Sequence, residues 1–243
     1  MMITSYFEYN GKKSNAFGLR VQAGIDISGP ESDVTFIEVP GVDGEIAIDN
    51  KRLRAVQRGL PCSLYPVGAI EKSIDEIDEW LKKDVGWRPL SFSWEPEYQY
   101  SAILSEGIPF DITLKKFSKA VFNFKIMPYK YLKTGLVLQT LTNGQILKNP
   151  FQRESKPIFE IVGTGDMDLT INSKKYSFKG IDTDIKVDSL AQNAVRISVN
   201  NKLENDKLYF FPFPELGAGD NKISWTGSGI TSVKIIPRWE RVV

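Results

Sequence analysis

Two pairs of acidic residues have a spacing that could support chemistry. Asp166 and Asp168 stand two residues apart, as do Asp182 and Asp184. Side chains at that spacing on a β-strand point to the same face, so either pair could bind a cation or supply the two carboxylates of a glycosidase. A glycine shortly precedes each pair, however, and such segments are typical of turns in which Asp accepts hydrogen bonds from its own backbone. We therefore favour turns over a catalytic or cation site at both pairs.

The composition excludes most familiar enzyme designs. The chain contains no histidine and a single cysteine, Cys62. Ser–His and Cys–His nucleophile pairs, an imidazole base and zinc sites built from His and Cys are therefore absent, and no intrachain disulfide can form. Cys62 lies in a strand-like segment and is predicted to be a small buried hydrophobic residue. The segment Gly217–Gly219 lacks the Lys-Ser/Thr of a phosphate-binding loop and is predicted to be a turn. We expect no catalytic residue, no metal site and no cofactor.

Aromatic residues raise the question of carbohydrate binding, because sugar rings stack on aromatic faces. The run Tyr209–Phe213 is rich in aromatic residues, and Trp225 and Trp239 lie nearby in the sequence. The run could line a ligand surface, but packing inside a β-sandwich is the interpretation that we favour. Exposure of these aromatic side chains on a concave face would favour a binding surface instead.

Length and charge are typical of a folded protein with two domains. The chain has 243 residues, of which 42% are hydrophobic and 25% charged. The formal net charge of +1 gives no electrostatic signature of nucleic-acid binding or of an anionic membrane partner. Residues 1–13 lack the apolar stretch of a signal peptide, and no run approaches the roughly 18 apolar residues of a spanning helix. We expect no membrane insertion.

Short alternating segments separated by turn residues predict a chain rich in β-strands. Val34–Val39, Val121–Ile126 and Val195–Val199 alternate apolar and polar residues, which is typical of sheets with one buried face. Asn10-Gly11 and Asp43-Gly44 suit tight hairpin turns because such turns need positive backbone φ angles.

The segment from Ile70 to Lys83 is predicted to be the one helix of this β-rich chain. Its apolar residues recur at helical spacing, and Ser73 followed by Glu76 resembles a capping box. Its acidic residues lie away from the apolar stripe, which indicates a solvated face. The stripe consists of Ile70, Ile74, Ile77 and Leu81, and the acidic residues are Asp75, Glu76, Asp78 and Glu79.

A domain boundary is predicted between Pro128 and Pro157, where polar residues follow the last strand of the first half. We expect one β-rich domain over residues 1–135, carrying the helix, and a second over residues 136–243. The strand after Ile236 could belong to either domain.

Segments throughout the chain resemble the distal tail proteins (Dit) of siphophages, the long, flexible-tailed bacteriophages. The segment Val39–Gly44 is similar to that family's Val-Pro-Gly-x-(Asp/Asn)-Gly turn. Phe213–Ile223 is similar to its proline–glycine–asparagine turn, and Ile236–Trp239 to its closing segment. The other matching segments are Tyr9–Ser14, Phe17–Leu19, Ile77–Leu81, Leu90–Phe92, Glu95–Tyr98, Phe122–Tyr131 and Lys156–Ile158. Each match is weak alone, and their order and spacing over nearly the whole chain make the resemblance specific.

The resemblance implies a fold and a role in assembly. The fold would be mainly β, with an N-terminal split β-barrel that carries one α-helix and a C-terminal galectin-like β-sandwich. Six copies would form a ring, single or stacked in two, which acts as the structural hub of a tail tip or baseplate. Its partners would be the tail tube protein, a tail-associated lysin or tail-tip protein and, at the periphery, receptor-binding proteins. The protein would be located in the virion tail tip and, during assembly, in the host cytoplasm.

Two other functions are compatible with the residues. One is a carbohydrate-binding β-sandwich module that recognises cell-surface saccharide through Trp225 or Tyr209–Phe213. The other is a carboxylate-based glycosidase, for which two acidic side chains must face each other across a cleft. Within the hub interpretation, we expect Gly41, Asp43 and Gly44 to shape a turn that ring geometry requires.

Overall fold

A computed structural model describes residues 5–25, 27–66, 68–114 and 116–243. Within these ranges the chain forms twenty β-strands and one α-helix, so the predictions of a mainly β protein and of one helix are confirmed. The chain divides into two compact units, residues 1–130 with 242–243 and residues 131–241.

The strands in chain order are β1 (Phe7–Tyr9), β2 (Lys12–Lys13), β3 (Leu19–Val21), β4 (Ser32–Glu38), β5 (Glu45–Leu53), β6 (Val56–Leu64), β7 (Arg88–Phe92), β8 (Glu95–Ile103), β9 (Phe110–Leu114), β10 (Phe117–Leu132), β11 (Gln139–Thr140), β12 (Gln145–Asn149), β13 (Ile158–Ile171), β14 (Lys174–Asp188), β15 (Asn193–Arg196), β16 (Lys202–Leu203), β17 (Leu208–Tyr209), β18 (Gly219–Thr226), β19 (Ile230–Ile236) and β20 (Glu240–Val242). The helix α1 spans Ile70–Lys82.

The main sheet of the first unit curls into a half-barrel around the long strand β10. Its strand order is β2-β1-β7-β8-β10-β6-β3, and β9 and β20 also pair with β10. Side chains along β10 are alternately buried and exposed, so that the sheet has one apolar face. Phe122 lies opposite Leu60 of β6, and both are fully buried. Each large apolar side chain buried in this way contributes about 1.5–3 kcal/mol to folding.

The helix packs its apolar stripe against this half-barrel. Ile77 is fully buried, and the Trp80 indole N–H donates a 3.1 Å hydrogen bond to the carbonyl of Tyr9 in β1. The Trp80 ring stacks on Phe17 with the ring centroids 4.5 Å apart. The prediction of a capping box was wrong because the N-cap is Ala69, four residues before Ser73, and Ser73 lies inside the first turns of the helix.

The second unit is built on the hairpin of β13 and β14. These strands pair from Ile158 opposite Asp188 to Ile171 opposite Lys174, with a bulge between Gly165 and Met167. The sheet has the order β11-β19-β13-β14-β15-β16; β18 pairs with β12 and β13, and β17 pairs with β14. Its buried apolar side chains include Phe159, Ile161, Leu169, Phe178, Ile185, Val187, Ile223, Val233 and Ile235.

Truncation of the helix stripe tests this packing. Ile77→Ala should lower the free energy of unfolding by about 2–5 kcal/mol, because it removes fully buried methyl groups and leaves a cavity. The matched control Asp75→Ala changes an exposed side chain of the same helix and should alter it by no more than about 0.5 kcal/mol. Urea unfolding followed by circular dichroism, at one protein concentration, measures both. Equal midpoints for the two variants would show that the helix does not pack as described.

Candidate interaction surfaces

Strands β4 and β5, with the turn between them, form a two-stranded sheet of their own, which we call the arm (residues 32–53). Within the described residues, neither strand pairs with the main sheet of the first unit. An isolated two-stranded hairpin is at best marginally stable in water. The arm therefore depends on contacts beyond its own backbone hydrogen bonds.

Apolar side chains are exposed on both faces of the arm. Ile37 lies opposite Ile46 on one face, and Phe36 lies opposite Ala47 on the other. Phe36 is 61% exposed and Ile46 54% exposed. Contiguous exposed apolar surface marks sites where proteins contact one another. The prediction that Val34–Val39 has one buried face was therefore wrong; the adjacent apolar residues Phe36 and Ile37, which point to opposite faces, were the signal that could have shown it.

Ion pairs hold the base of the arm together. Asp33 is only 5% exposed, and its carboxylate accepts hydrogen bonds from the guanidinium groups of Arg54, at 2.7 Å, and of Arg52. Both hydrogen bonds lower the pKa of Asp33, and the one from Arg54 has the larger effect. Because the folded-state pKa is depressed, this stabilisation is present at neutral pH and is lost as the pH falls through the folded-state pKa.

The tip of the arm is a turn at the residues where the sequence predicts one. Gly41 has φ +83° and Gly44 has φ +86°, conformations that L side chains rarely adopt. The amide of Val42 donates to the carbonyl of Val39 at 3.1 Å, which closes the turn. Val42 itself is exposed, so the tip adds to the apolar surface of the arm.

A shallow apolar depression of about 580 Å³ lies on the first unit, where β6, β9 and β10 meet. Its lining includes Pro61 and Val121, which lie opposite each other in β6 and β10, and Lys119 and Asp111, which lie opposite each other in β10 and β9. Val121 is an exposed apolar residue, and its neighbours on the same face of β10 are polar. This depression is a second candidate contact surface.

Cys62 also lines this depression, yet its side chain is buried. Burial raises the pKa of its thiol to about 12, so the thiolate is scarce at neutral pH. The prediction of a buried hydrophobic cysteine is confirmed.

The two aspartate pairs lie in strands, and the prediction of turns was wrong. The first pair lies in β13 and the second in β14. Gly163 serves close packing, because a Cβ atom there would lie 2.4 Å from the carbonyl oxygen of Gly229. Gly165 (φ +88°) lies at the bulge in β13. Sequence patterns that show glycine next to aspartate do not distinguish a bulge from a turn.

Neighbouring cations and amides occupy all four of these carboxylates. Asp166 accepts from Lys179 at 2.8 Å, and Asp168 pairs with Lys175 at 2.7 Å. The lysine hydrogen bonds lower the pKa of both groups, opposite to the raised pKa that a glycosidase acid needs. In β14, Asp182 pairs with Arg196 at 2.6 Å, and Asp184 accepts from the amide of Ile197 at 2.6 Å.

Within the described part of the chain, no group of three or more His, Cys, Asp or Glu residues could hold a metal ion. In the same residues, no helix is long and apolar enough to cross a membrane.

The aromatic run of the second unit is divided between core and surface. Phe210 packs edge-on against Phe178, with ring centroids 5.2 Å apart, and Phe213 packs against Phe210. Tyr209 and Phe211 are 65% and 82% exposed. Trp225 is partly buried against the core, and its backbone exchanges hydrogen bonds with the side chain of Asn143. The prediction that this aromatic run packs inside the second unit is thus confirmed for Phe210 and Phe213 and is wrong for Tyr209 and Phe211.

Comparison with solved structures identifies the fold. The crystal structure of the Dit protein (gp 19.1) of phage SPP1, described as a paradigm of the hub adsorption apparatus in phages that infect Gram-positive bacteria, aligns with a TM-score of 0.70. The alignment covers 95% of this chain and 96% of that chain at 18% sequence identity. No family model and no curated protein matches the chain. The chain therefore has the Dit fold, and the resemblance found in the sequence is confirmed at the level of fold.

The ion pairs that Asp33 forms at the base of the arm can be tested by hydrogen exchange. Asp33→Asn should leave Arg52 and Arg54 without their shared carboxylate and should speed amide exchange in residues 45–54. The control Asp49→Asn removes an exposed carboxylate that pairs with Lys51, and it should change exchange little. Mass spectrometry at neutral pH reads both. Unchanged exchange in Asp33→Asn would contradict a role for Asp33 in holding the arm.

Proposed function

We propose that this chain, which shares the fold of a phage hub protein, is itself the structural hub of a phage tail tip or baseplate. The observation that carries the proposal is the structural match over 95% of the chain to a protein described as a hub adsorption apparatus. In this role it is a virion component without catalytic activity, assembled in the host cytoplasm. Six copies form a ring that joins the tail tube to a tail-tip protein or tail-associated lysin and carries receptor-binding proteins. The proposed domains are the split barrel of residues 1–135 and a galectin-like β-sandwich of residues 136–243.

The two-faced apolar arm supports ring assembly. When a neighbouring copy covers a hairpin that is exposed on both faces in the free protein, the unpaired strand edges and the apolar surface of the hairpin become buried. The arm and the surface that receives it are different parts of the chain, so the contact is heterologous, and heterologous contacts that close generate rings. The apolar depression at Pro61 and Val121 offers such a receiving surface on the same unit.

The charges at the end of the arm fit this docking. Glu38 and Glu45 lie directly opposite each other in the hairpin register, and like charges at that spacing destabilise a strand pair. Within the described residues, neither carboxylate takes part in an ion pair. Lys119, exposed beside the depression, supplies a cation for this pair when a neighbouring copy docks.

Light scattering behind a sizing column tests the ring. The wild-type protein should have a mass near six or twelve times 27.4 kDa. The double variant Phe36→Asp/Ile46→Asp places a charge on each apolar face of the arm and should elute as a monomer, because burying an unpaired carboxylate costs several kcal/mol. The control Leu203→Asp changes an equally exposed apolar residue of the second unit and should keep the wild-type mass.

Thermal unfolding confirms that each variant is folded. A wild-type monomer at every concentration tested would contradict the ring, whereas a ring that survives the double variant would contradict the role of the arm.

The turn at the tip gives a separate prediction. Gly41→Val should weaken ring formation, because valine at φ +83° is strained by about 1–2 kcal/mol even though a Cβ atom there meets no neighbour within 4 Å. Gly29→Val is the control, since Gly29 is exposed and is not held at positive φ. Sizing and tail assembly in a complementation assay measure the effect. Intact rings and tails with Gly41→Val would show that ring geometry does not need this turn.

A further inference from the structure

A concave surface of the second unit combines exposed aromatic rings with lysines. It has a volume of about 400 Å³, within the range of about 300–1,000 Å³ typical of ligand sites. We call it the aromatic groove. It is lined by Lys174, Lys175, Tyr176, Tyr209, Phe210, Phe211 and Pro212.

The groove is held in shape by the core beneath it. Tyr209 pairs with Ser177 of β14, which fixes the start of the aromatic segment on the sheet. The ring of Phe210 packs edge-on against Tyr176 and Phe178, with centroid distances of 5.3 and 5.2 Å. Because Phe210 points into the core, the side chains before and after it are displayed at the surface. A ligand would therefore meet a largely preorganised surface, which lowers the entropic cost of binding.

The exposure of these rings indicates a ligand with an apolar face that can stack on them. Phe211 is 82% exposed, more than any other large hydrophobic residue among those described. Tyr209, two residues before it, carries a hydroxyl group. An aromatic face is apolar, and tyrosine adds a polar tip that can hydrogen-bond. A saccharide ring has the matching character, with an apolar C–H face and hydroxyl groups at its edge.

The lysines that line the groove favour a ligand that carries negative charge. Lys175 already pairs with Asp168, but Lys174 has no ion pair among the described residues. Burial, first, and the adjacent Glu154 raise the pKa of the Glu215 carboxyl, whereas the charge of Lys174 acts on it in the opposite direction without forming an ion pair in the described part of the chain. An ammonium group without an ion-pair partner can donate charge-assisted hydrogen bonds to phosphate or carboxylate oxygens.

We propose that the aromatic groove binds an acidic saccharide, with the sugar ring stacked on Phe211 and Tyr209 and the acidic group paired with Lys174. This goes beyond a hub function: it gives the second unit a direct contact with an anionic glycan. The acidic group can be a sugar phosphate or a uronic acid, since both offer the oxygen atoms that Lys174 needs.

Saturation-transfer NMR on the full-length protein tests the site with four probes: glucose 1-phosphate, glucuronic acid, glucose and inorganic phosphate. Signal at the sugar-ring protons is expected for both acidic sugars, and the one that binds more tightly identifies the acidic group. Neutral glucose should bind about tenfold more weakly, the loss expected for one charge-assisted hydrogen bond. Inorganic phosphate, titrated as a competitor of glucose 1-phosphate, should compete poorly because it has no ring to stack.

Variants separate the two parts of the site. Tyr209→Ala/Phe211→Ala should abolish the ring-proton signal, and Lys174→Ala should reduce the affinity for glucose 1-phosphate to that for glucose. Leu203→Ala and Lys148→Ala are the controls, since both side chains are exposed on the second unit outside the groove. A melting curve checks the fold of each variant.

The groove proposal is overturned if neither acidic sugar binds, if glucose binds as well as they do, or if the controls lose as much affinity as the groove variants. The ring-breaking variant Phe36→Asp/Ile46→Asp should keep full sugar binding, so that failure of the hub proposal and failure of the groove are distinguishable.

Discussion

The pairing of β10 with its neighbours is the interaction on which the first unit depends. Residues Ser118–Ile126 of β10 pair without interruption with Leu64–Val56 of β6, and β8, β9 and β20 also pair with β10. The register sets which side chains point inward, because a slip by one residue would turn Phe122 and Phe124 out of the core. The helix and β1 then pack against a face that this register has already made apolar. In the chain, the arm directly precedes β6.

Charged residues in this chain stabilise the fold more than they form sites. The aspartates whose spacing could suit a metal or a glycosidase are held by lysine, arginine or backbone amides. Among the residues that the structure describes, charged side chains without an ion pair also lie on the surfaces for which we propose partners. At the tip of the arm two carboxylates face each other, and in the aromatic groove Lys174 has no ion pair among the described residues. Unbalanced charge and exposed apolar surface therefore occur together in both places.

Part of this structure could be predicted from the sequence. The period of Ile70, Ile77 and Leu81 identified the helix, and alternation identified β10, because each pattern has a single physical explanation. The aspartates in β13 and β14 could not be placed, since a glycine that permits a bulge looks the same in sequence as one that permits a turn. The arm was identified as a strand, but its exposure was not, because apolar residues on both faces usually mean burial within one chain. The sequence indicates an aromatic segment at Tyr209–Phe213, but it does not show which of these rings face outward.

The facing glutamates at the end of the arm also bear on solubility. A flat hairpin with apolar faces and free edges is a template for aggregation, and charged residues placed beside such segments act as gatekeepers. Glu38 and Glu45 repel the same pair on any other arm that approaches tip to tip, whereas a surface that presents a lysine is tolerated. The repulsion weakens as added salt shortens the Debye length below about 10 Å. These two side chains thus impose a penalty on tip-to-tip pairing of arms that is absent from pairing with a surface that presents a lysine.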